Sequence, residues 1–345
     1  MANAEEKPSS SLWARLLGRT ANLTAEQEDD DPLFSSSRHD GEFEAHLDGT
    51  DMNTAPIEQS PETGDYFSSG FGLRRRAFTL LPDPDFLYWS AGHKRAYSVL
   101  EYGIMTRAPI TVVTGDVGTG KTTLLQALLD KVSQDTVVGL ISNAHGNRGD
   151  LLRWALSALD VPCPREASYV ETFQILQDFL VRNYAEGRYA ILIIDEAQQL
   201  SPEGLEELRM LTNINSKKDE LLQLVLIGQP ELRNVISQPD MRQFAQRIMA
   251  AYHLGPMDAE STAAYIRHRI IHAGGSAEQI TDGGAQRVHY HSRGIPRLIN
   301  KLCDFAIVYA VTAEQTFIDE VIVENVVKDG LLQGATLDSE GGDWS

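Results

Sequence analysis

The sequence predicts an α/β fold built on a parallel sheet, followed by a smaller all-helical domain. Apolar strand patterns such as Tyr189–Ile194 and Leu222–Ile227 alternate with helical patterns. Strands that are apolar on both sides belong to parallel sheets covered by helices on both faces. Beyond Asp258 the strand patterns stop, and four helical patterns follow. They are predicted over Ala259–Ala273, Gly283–His291, Pro296–Thr312 and Asp319–Lys328.

The N-terminal part of the chain differs in composition from the rest. Residues 1–70 contain 15 acidic and 4 basic side chains, in a chain whose net charge is −19. Because they include few aliphatic side chains, we expect residues 1–74 to form an acidic, disordered extension. Within it, Leu12, Trp13, Leu16 and Leu17 share one face of a short helix over residues 11–19. Such a helix is marginal alone, so a fluctuating tail and a docking helix both remain open.

Charge, cysteine spacing and the lengths of apolar runs argue against several classes of protein. The acidic balance argues against a large electrostatic footprint on nucleic acid. Cys163 and Cys303 lack metal-ligand spacing and are expected to be reduced thiols of a cytoplasmic protein. No run approaches the ~18 apolar residues of a membrane span, and the N-terminus has no secretory signal pattern. We therefore expect a cytoplasmic protein that a partner recruits to the inner membrane, if it is recruited at all.

The remaining elements follow in chain order from local signals. Arg74–Arg76 predicts a solvated boundary, after which a helix is expected near Gly92–Ile104. Ser168 and Glu171 form a capping-box pattern before a helix over Thr172–Tyr184. Ser201-Pro202 is an N-cap with proline at the first helical position. The predicted organisation is an extension (1–74), a nucleotide-binding α/β domain (75–257), a helical lid (258–331) and an acidic loose tail (332–345).

A phosphate-binding loop is predicted between a short apolar strand and a helix. The residues GDVGTGKTT match G-x-x-x-x-G-K-[ST]. Glycines let backbone N–H groups face phosphate oxygens, and the helix N-terminus favours the same anion. Lys121 is predicted to reach the terminal phosphates and Thr122 to ligate Mg²⁺. The predicted binding residues are Gly115, Asp116, Val117, Gly118, Thr119, Gly120, Lys121, Thr122 and Thr123.

A second site motif ends the apolar strand Tyr189–Ile194. Asp195 and Glu196 lie at the carboxyl end of that strand, the edge at which parallel sheets bind ligands. We predict that Asp195 holds Mg²⁺ and that Glu196 polarises the attacking water. Two adjacent buried acids are too costly to serve stability alone. Together with the loop, the pair predicts ATP hydrolysis.

Further candidates lie in four segments. Gln229 ends the next apolar strand and either senses the γ-phosphate, orients water or caps the following helix. Arg247, and less so Arg242, are candidates to act on a neighbouring subunit's nucleotide. Arg297 begins a lid helix and is a candidate to reach back to the phosphates. His93 is a candidate on the adenine side.

Several motifs recur in an order that resembles a known family, the ExeA/GspA-like ATPases of general secretion and exopolysaccharide export loci. This family belongs to the AAA+ superfamily, near its origin-recognition-like branch, and the resemblance covers residues 75–330. The motifs are Phe78…Pro82-Asp83-Pro84…Phe86-Leu87-Tyr88…His93, Tyr102-Gly103-Ile104, Thr114–Thr123, Asp195–Gln198, Gly228–Leu232 and Gly294–Arg297.

The resemblance implies an AAA+ core with sheet order 5-1-4-3-2 and a helical lid. It also implies ATP and Mg²⁺ as ligands and a homo-oligomer, with Gln229 in the sensor 1 place, Arg247 in the finger place and Arg297 in the sensor 2 place. A membrane-associated export component, engaged through residues 11–19, is the expected partner.

Secretion-type members continue into a membrane span and a peptidoglycan-binding domain, whereas this sequence ends at Ser345 without either. This difference favours the soluble relatives of polysaccharide export loci. Two other functions remain open, a slow nucleotide-gated scaffold and a DNA-associated transposition helper. The latter needs a basic face on the lid, for which Arg267, His268, Arg269 and His272 are the candidates.

Overall fold

The computed structural model describes residues 70–80, 86–133, 135–142, 150–216 and 219–331. The predictions for residues 1–69, including the segment 11–19, lie outside the described residues, and so does the predicted tail 332–345. In the described part of the chain, no helix is long and apolar enough to cross a membrane.

Five parallel strands form the central sheet, in the order β2-β3-β4-β1-β5. This is the predicted order 5-1-4-3-2 read from the opposite edge, so the predicted fold class is confirmed. Only the resemblance predicted the edge strand β5, although its residues 248–252 are apolar. The strands are β1 Ile110–Gly115, β2 Thr136–Ile141, β3 Tyr189–Ile194, β4 Leu222–Gly228 and β5 Ile248–Leu254.

Helices cover both faces of this sheet and bury a separate apolar cluster on each. The capping box at Ser168 and Glu171 is present, as is the N-cap of Ser201. A short antiparallel hairpin, Asn215–Ser216 with Asp219–Glu220, precedes β4. The helices are α1 Ala91–Met105, α2 Lys121–Leu129, α3 Asp150–Ala158, α4 Tyr169–Ala185, α5 Pro202–Leu211, α6 Pro230–Ile236 and α7 Arg242–Ala245.

The lid is the predicted set of four helices with its own apolar core. Its helices are α8 Ala259–His272, α9 Asp282–Ser292, α10 Pro296–Thr312 and α11 Glu320–Lys328. Cys303 lies in this core as a buried free thiol, and Cys163 is also free. Burial raises the pKa of the Cys303 thiol far above its usual value. The thiol is therefore neutral at physiological pH and packs as a small apolar group.

A segment before α1 belongs to the lid rather than to the sheet. We call residues 70–80 and 86–88 the strap. Phe71, Leu73 and Phe86 are at most 3% exposed and join the lid core. The Arg74 N–H donates to the Ala273 carbonyl at 2.8 Å. This differs from the predicted boundary, which divides the strap between the extension and the α/β domain. Its apolar residues pack on helices about two hundred positions later, a contact that no local pattern reveals.

Removing an apolar strap residue should destabilise the lid. Phe71→Ala leaves a cavity at a side chain that is 1% exposed, so its free energy of unfolding should fall by about 3–5 kcal/mol. Val321→Ala, at a 61% exposed position of α11, is the matched control and should change stability by less than about 0.5 kcal/mol. Urea unfolding followed by circular dichroism measures both. Equal, small losses would show that the strap does not stabilise the lid.

Candidate functional site

The phosphate loop has the backbone that anion binding requires. Gly118 and Gly120 have φ of +80° and +95°, which side chains rarely adopt. A Cβ on Gly118 would lie 2.6 Å from the Cβ of Arg297, and a Cβ on Gly120 would lie 2.9 Å from Nε2 of His93. Glycine is therefore required at both positions for conformation and for space.

Lys121 begins α2 and folds back onto the loop. Its Nζ donates to the carbonyl oxygens of Gly115 at 2.7 Å and Asp116 at 2.9 Å. Burial lowers the pKa of Lys121, an effect opposed by the nearby carboxylates of Glu196 and Asp195. The ammonium thus lies between the loop and the two acids, where the terminal phosphates of a bound triphosphate are expected.

His93 lies under the loop. Its Nε2 is 3.0 Å from the Thr119 carbonyl and its Nδ1 is 2.7 Å from the Ser90 hydroxyl. Because a carbonyl only accepts, Nε2 carries the hydrogen and Nδ1 accepts from Ser90. Burial lowers the pKa of His93, so the ring is neutral near pH 7. Both ring nitrogens already have partners, so the ring supports the loop; it also lines the cavity, and its contact with the adenine side stays a prediction.

The two acids adjoin the loop because β3 and β1 flank β4. Asp195 accepts a hydrogen bond from the Glu196 N–H at 2.9 Å, and burial raises the pKa of Asp195. Glu196 has φ of +55°, an unusual conformation for a residue with a side chain. Strain of this kind concentrates at functional sites.

Two amides hold the Glu196 carboxylate. Gln198 Nε2 donates to its Oε2 at 2.5 Å, and Gln229 Nε2 donates to the same oxygen at 3.1 Å. The Oε1 of Gln198 accepts the Gln229 N–H at 3.0 Å, which fixes the orientation of the amide. Burial opposes ionisation of Glu196, but these hydrogen bonds and the charges of Lys121 and Arg297 together lower its pKa. The side chain is an oriented carboxylate at neutral pH.

Arg297 brings the lid to the phosphate loop. It is the second residue of α10, and its N–H donates to the Gly118 carbonyl at 3.2 Å. Its guanidinium lies near enough to Glu196 and Lys121 to shift the pKa of each. The structure therefore places Arg297 in the cavity lining beside the phosphate loop.

Arg247 precedes β5 and is tied to its own subunit. Its Nη1 donates to the Thr212 carbonyl and to Glu220, each at 3.4 Å, and its Nη2 donates to Asn213. Arg242, on α7, is exposed. Neither arginine is among the described residues that line the cavity beside the phosphate loop, and their action on a neighbouring subunit stays a prediction.

A cavity of about 340 Å³ joins these residues to the strap and the lid. Volumes of this size hold small ligands. One end is the phosphate loop; the other is largely apolar and aromatic, as suits a planar base. This other end is lined by Thr79, Leu80, Phe86, Leu87, Tyr88, Met257, Tyr265, Arg269 and Asn300. We call it the base end.

Sequence reasoning missed most of the base end. Phe86, Leu87 and Tyr88 were noted only as part of the resemblance, and Gln198 only as part of a motif. Arg269 was a candidate for a basic DNA-binding face, but it is 6% exposed and lies in the cavity wall. Arg267, on the same helix, forms an ion pair with Asp282. A surface of free basic side chains on α8 is therefore not formed.

The residues present fit a nucleoside triphosphate and Mg²⁺. The glycine cradle accepts phosphates, and Thr122 and Asp195 supply a hydroxyl and a carboxylate of the kind that Mg²⁺ prefers. No group of three or more His, Cys, Asp or Glu side chains able to hold a metal occurs in the described residues. A Mg²⁺ ion held mainly by phosphates and water does not require one.

The neutral state of His93 predicts a pH dependence of stability. The unfolded chain takes up a proton below about pH 6.5, whereas the buried ring resists it, so stability falls as the pH drops. His93→Gln cannot titrate, and between about pH 7.5 and pH 5.5 it should lose up to about 1.4 kcal/mol less unfolding free energy than wild type. Urea unfolding at both pH values measures this difference. An unchanged pH dependence in His93→Gln would contradict the neutral assignment.

A protein-family model and a known relative both match this chain. The family described as an AAA domain matches residues 104–236. General secretion pathway protein A of Aeromonas hydrophila is 40% identical over 244 residues, which are 71% of this chain and 45% of that protein. The chain thus spans less than half the length of this relative.

Solved structures share the fold at low identity. The ORC2 protein of Aeropyrum pernix has a TM-score of 0.53 at 19% identity, over 74% of this chain and 71% of that one. Cdc6p of Pyrobaculum aerophilum has a TM-score of 0.55 at 18% identity, over 72% of this chain and 71% of that one. Drosophila ORC bound to DNA has a TM-score of 0.57 at 14% identity, over 89% of this chain and 73% of that one. The chain therefore has an AAA domain with a phosphate loop and an acid pair, and it is related to general secretion pathway protein A.

Proposed function

We propose that this protein hydrolyses ATP with Mg²⁺ in a site shared between subunits, and that it supports an envelope secretion or exopolysaccharide export system. The observation that carries the hydrolytic part is Glu196, held as a carboxylate by two amides beside the phosphate loop. A scaffold that only binds nucleotide has no need of an oriented, ionised base at this position.

The residues proposed to act in hydrolysis follow three different strands, and each group has its own role. The loop from Gly115 to Thr123 binds the phosphates through backbone N–H groups, and Lys121 neutralises their charge. Mg²⁺, bound by Thr122 and Asp195, would neutralise charge on the β- and γ-phosphates. Glu196 accepts a hydrogen bond from the attacking water and orients it. Gln229 and Gln198 hold the Glu196 carboxylate in place.

The lid takes part through Arg297. Its backbone contact with Gly118 joins α10 to the phosphate loop. A guanidinium at this point stabilises charge that develops on the transferred phosphoryl group. Loss of that charge after hydrolysis weakens this interaction, so the position of the lid depends on the nucleotide state.

The remaining positive charge comes from a neighbouring subunit. Arg247 is the proposed trans arginine, and Arg242 is the alternative. Arg247 must exchange its contacts with Glu220 and Asn213 for the neighbour's phosphate, whereas Arg242 is already exposed. Oligomerisation would therefore have to break contacts that Arg247 makes within its own subunit, whereas Arg242 already lies at the surface.

ATPase rate per protomer as a function of protein concentration tests this proposal. In wild type the rate should rise with concentration, because each site needs a neighbour. Glu196→Gln should lose about 10²–10⁴-fold in rate while still binding ATP. Replacing the trans arginine by alanine should cost about 10³-fold or more, and comparing Arg247→Ala with Arg242→Ala identifies it. Glu203→Gln, an exposed acid on α5, is the control and should retain the rate.

A flat concentration profile, with both arginine variants active, would mean that each protomer works alone. A Glu196→Gln protein that hydrolyses ATP at the wild-type rate would remove Glu196 from the mechanism. Neither result would affect nucleotide binding through Lys121, which Lys121→Ala tests separately.

The export role rests on the relative's name and on the extension. General secretion pathway protein A is the curated relative, and this chain matches less than half of it. We propose that the protein is cytoplasmic and that residues 11–19 recruit it to a membrane-associated export component. Leu12, Trp13, Leu16 and Leu17 would supply the apolar face of such a docking helix.

Removing residues 1–69 should separate recruitment from catalysis. The truncated protein retains the strap, so its ATPase rate should be unchanged, while its membrane association is lost. A full-length protein with Trp13→Ser and Leu16→Ser should lose recruitment equally if the apolar face is responsible. Fractionation of cells with an antibody to the protein measures both. Unchanged localisation of the truncated protein would contradict this role of the segment.

A further inference from the structure

Arg269 links the lid to the strap at the base end of the cavity. Its Nε donates to the Ala77 carbonyl at 2.7 Å, and its Nη1 donates to the Tyr265 hydroxyl at 2.9 Å. The guanidinium carbon lies 4.8 Å from the centroid of the Phe86 ring. One side chain of α8 thus contacts the strap on both sides of residues 81–85.

A second lid residue continues the same set of hydrogen bonds. The Tyr265 hydroxyl donates to Oδ1 of Asn300 at 2.8 Å, and Nδ2 of Asn300 donates to the Thr79 carbonyl at 3.1 Å. Two strap carbonyls, at Ala77 and Thr79, are therefore held by side chains of α8 and α10. We call Arg269, Tyr265 and Asn300 the strap anchor.

The strap anchor and the phosphate loop meet on a single helix. Asn300 lies one helical turn after Arg297, whose N–H donates to the Gly118 carbonyl at 3.2 Å. The first two turns of α10 therefore contact the loop at one point and the strap at the next. The same helix therefore borders both the phosphate end and the base end of the cavity.

The energetics of Arg269 argue against a purely structural purpose. The side chain is 6% exposed, and its partners are a carbonyl, a phenol and the aromatic faces around it. Within the described residues, its Nη2 has no hydrogen-bond partner. A buried charge without a carboxylate is costly, and apolar side chains of similar volume often replace buried ions without loss of stability.

We propose that the strap anchor is a positioning unit for the base and ribose of the bound nucleotide. It holds Phe86 and Tyr88 against the lid, so that the base enters a preformed apolar slot. It does not contact the phosphates, which bind at the loop and beside Arg297. The proposal rests on the proposed nucleotide binding, and its distinctive consequence is that anchor variants discriminate a nucleotide from its bare phosphate chain.

Binding of two ligands by the full-length protein tests this directly. ATP occupies both ends of the cavity, whereas inorganic tripolyphosphate occupies only the phosphate end. In Arg269→Met, the Ala77 carbonyl and the Tyr265 hydroxyl lose a charged donor, so the Kd for ATP should rise about tenfold or more. The Kd for tripolyphosphate should change less than about twofold, since the loop is unaltered. Isothermal titration calorimetry with Mg²⁺ measures both constants.

Two further variants complete the experiment. Tyr265→Phe removes a single hydroxyl and should give the same selective loss with a smaller magnitude. Arg269→Lys retains one charged donor and should recover part of the ATP affinity. Arg267→Met, at the surface of the same helix and paired with Asp282, is the matched control and should bind both ligands as wild type does. Thermal unfolding without ligand reports whether each variant is folded.

The outcomes are distinct. An equal loss of ATP and tripolyphosphate binding in folded Arg269→Met and Tyr265→Phe would show that the anchor supports the whole lid, and would overturn the proposal. Unchanged ATP binding in both variants would overturn it as well. If wild-type protein binds neither ligand, the proposed function itself fails. If it binds tripolyphosphate as tightly as ATP, nucleotide binding stands in its phosphate part and the positioning role is refuted.

Discussion

The site depends on the parallel pairing of β3, β4 and β1. Because the three strands are neighbours and run in the same direction, the residues that follow them meet at one edge of the sheet. The phosphate loop, the pair Asp195-Glu196 and Gln229 lie far apart in the chain and converge only through this register. A shift of one residue in either pairing would turn every strand side chain to the opposite face, and it would move the carboxylates away from Lys121.

The three amide and carboxylate side chains at that edge act together. Glu196 is ionised in spite of burial because Gln198 and Gln229 both donate to it. The Gln198 amide also accepts from the Gln229 backbone, so neither amide is free to turn. A change in the position of β4 would thus alter the Glu196 carboxylate first, before any contact with phosphate is affected.

Short sequence patterns predicted those parts of the molecule whose structure depends on residues close to one another in the chain. The glycine loop, the acids that end β3, the capping box at Ser168 and the lid helices each have a pattern within a few residues. The strap and the base end do not, because Ala77 meets Arg269 across 192 positions. Arg269 looked like a surface residue since arginines are rarely buried, and only the aromatic rings of the strap and of Tyr265 make its burial tolerable. The edge strand β5 was predicted by the resemblance and not by a local pattern, because its residues are partly exposed rather than buried throughout.

The attachment point of the extension has a mechanical consequence. Residues 1–69 enter the fold at Gly70, whose backbone packs against Val311 of α10, and Phe71 and Leu73 fix the next turn in the lid core. Any load that a bound partner places on the extension therefore acts on the lid, not on the sheet. The lid is also the element that touches the phosphate loop through Arg297. In the function proposed above, the extension is a tether on the lid, and tension along it reaches the phosphate loop through the contact of Arg297 with Gly118.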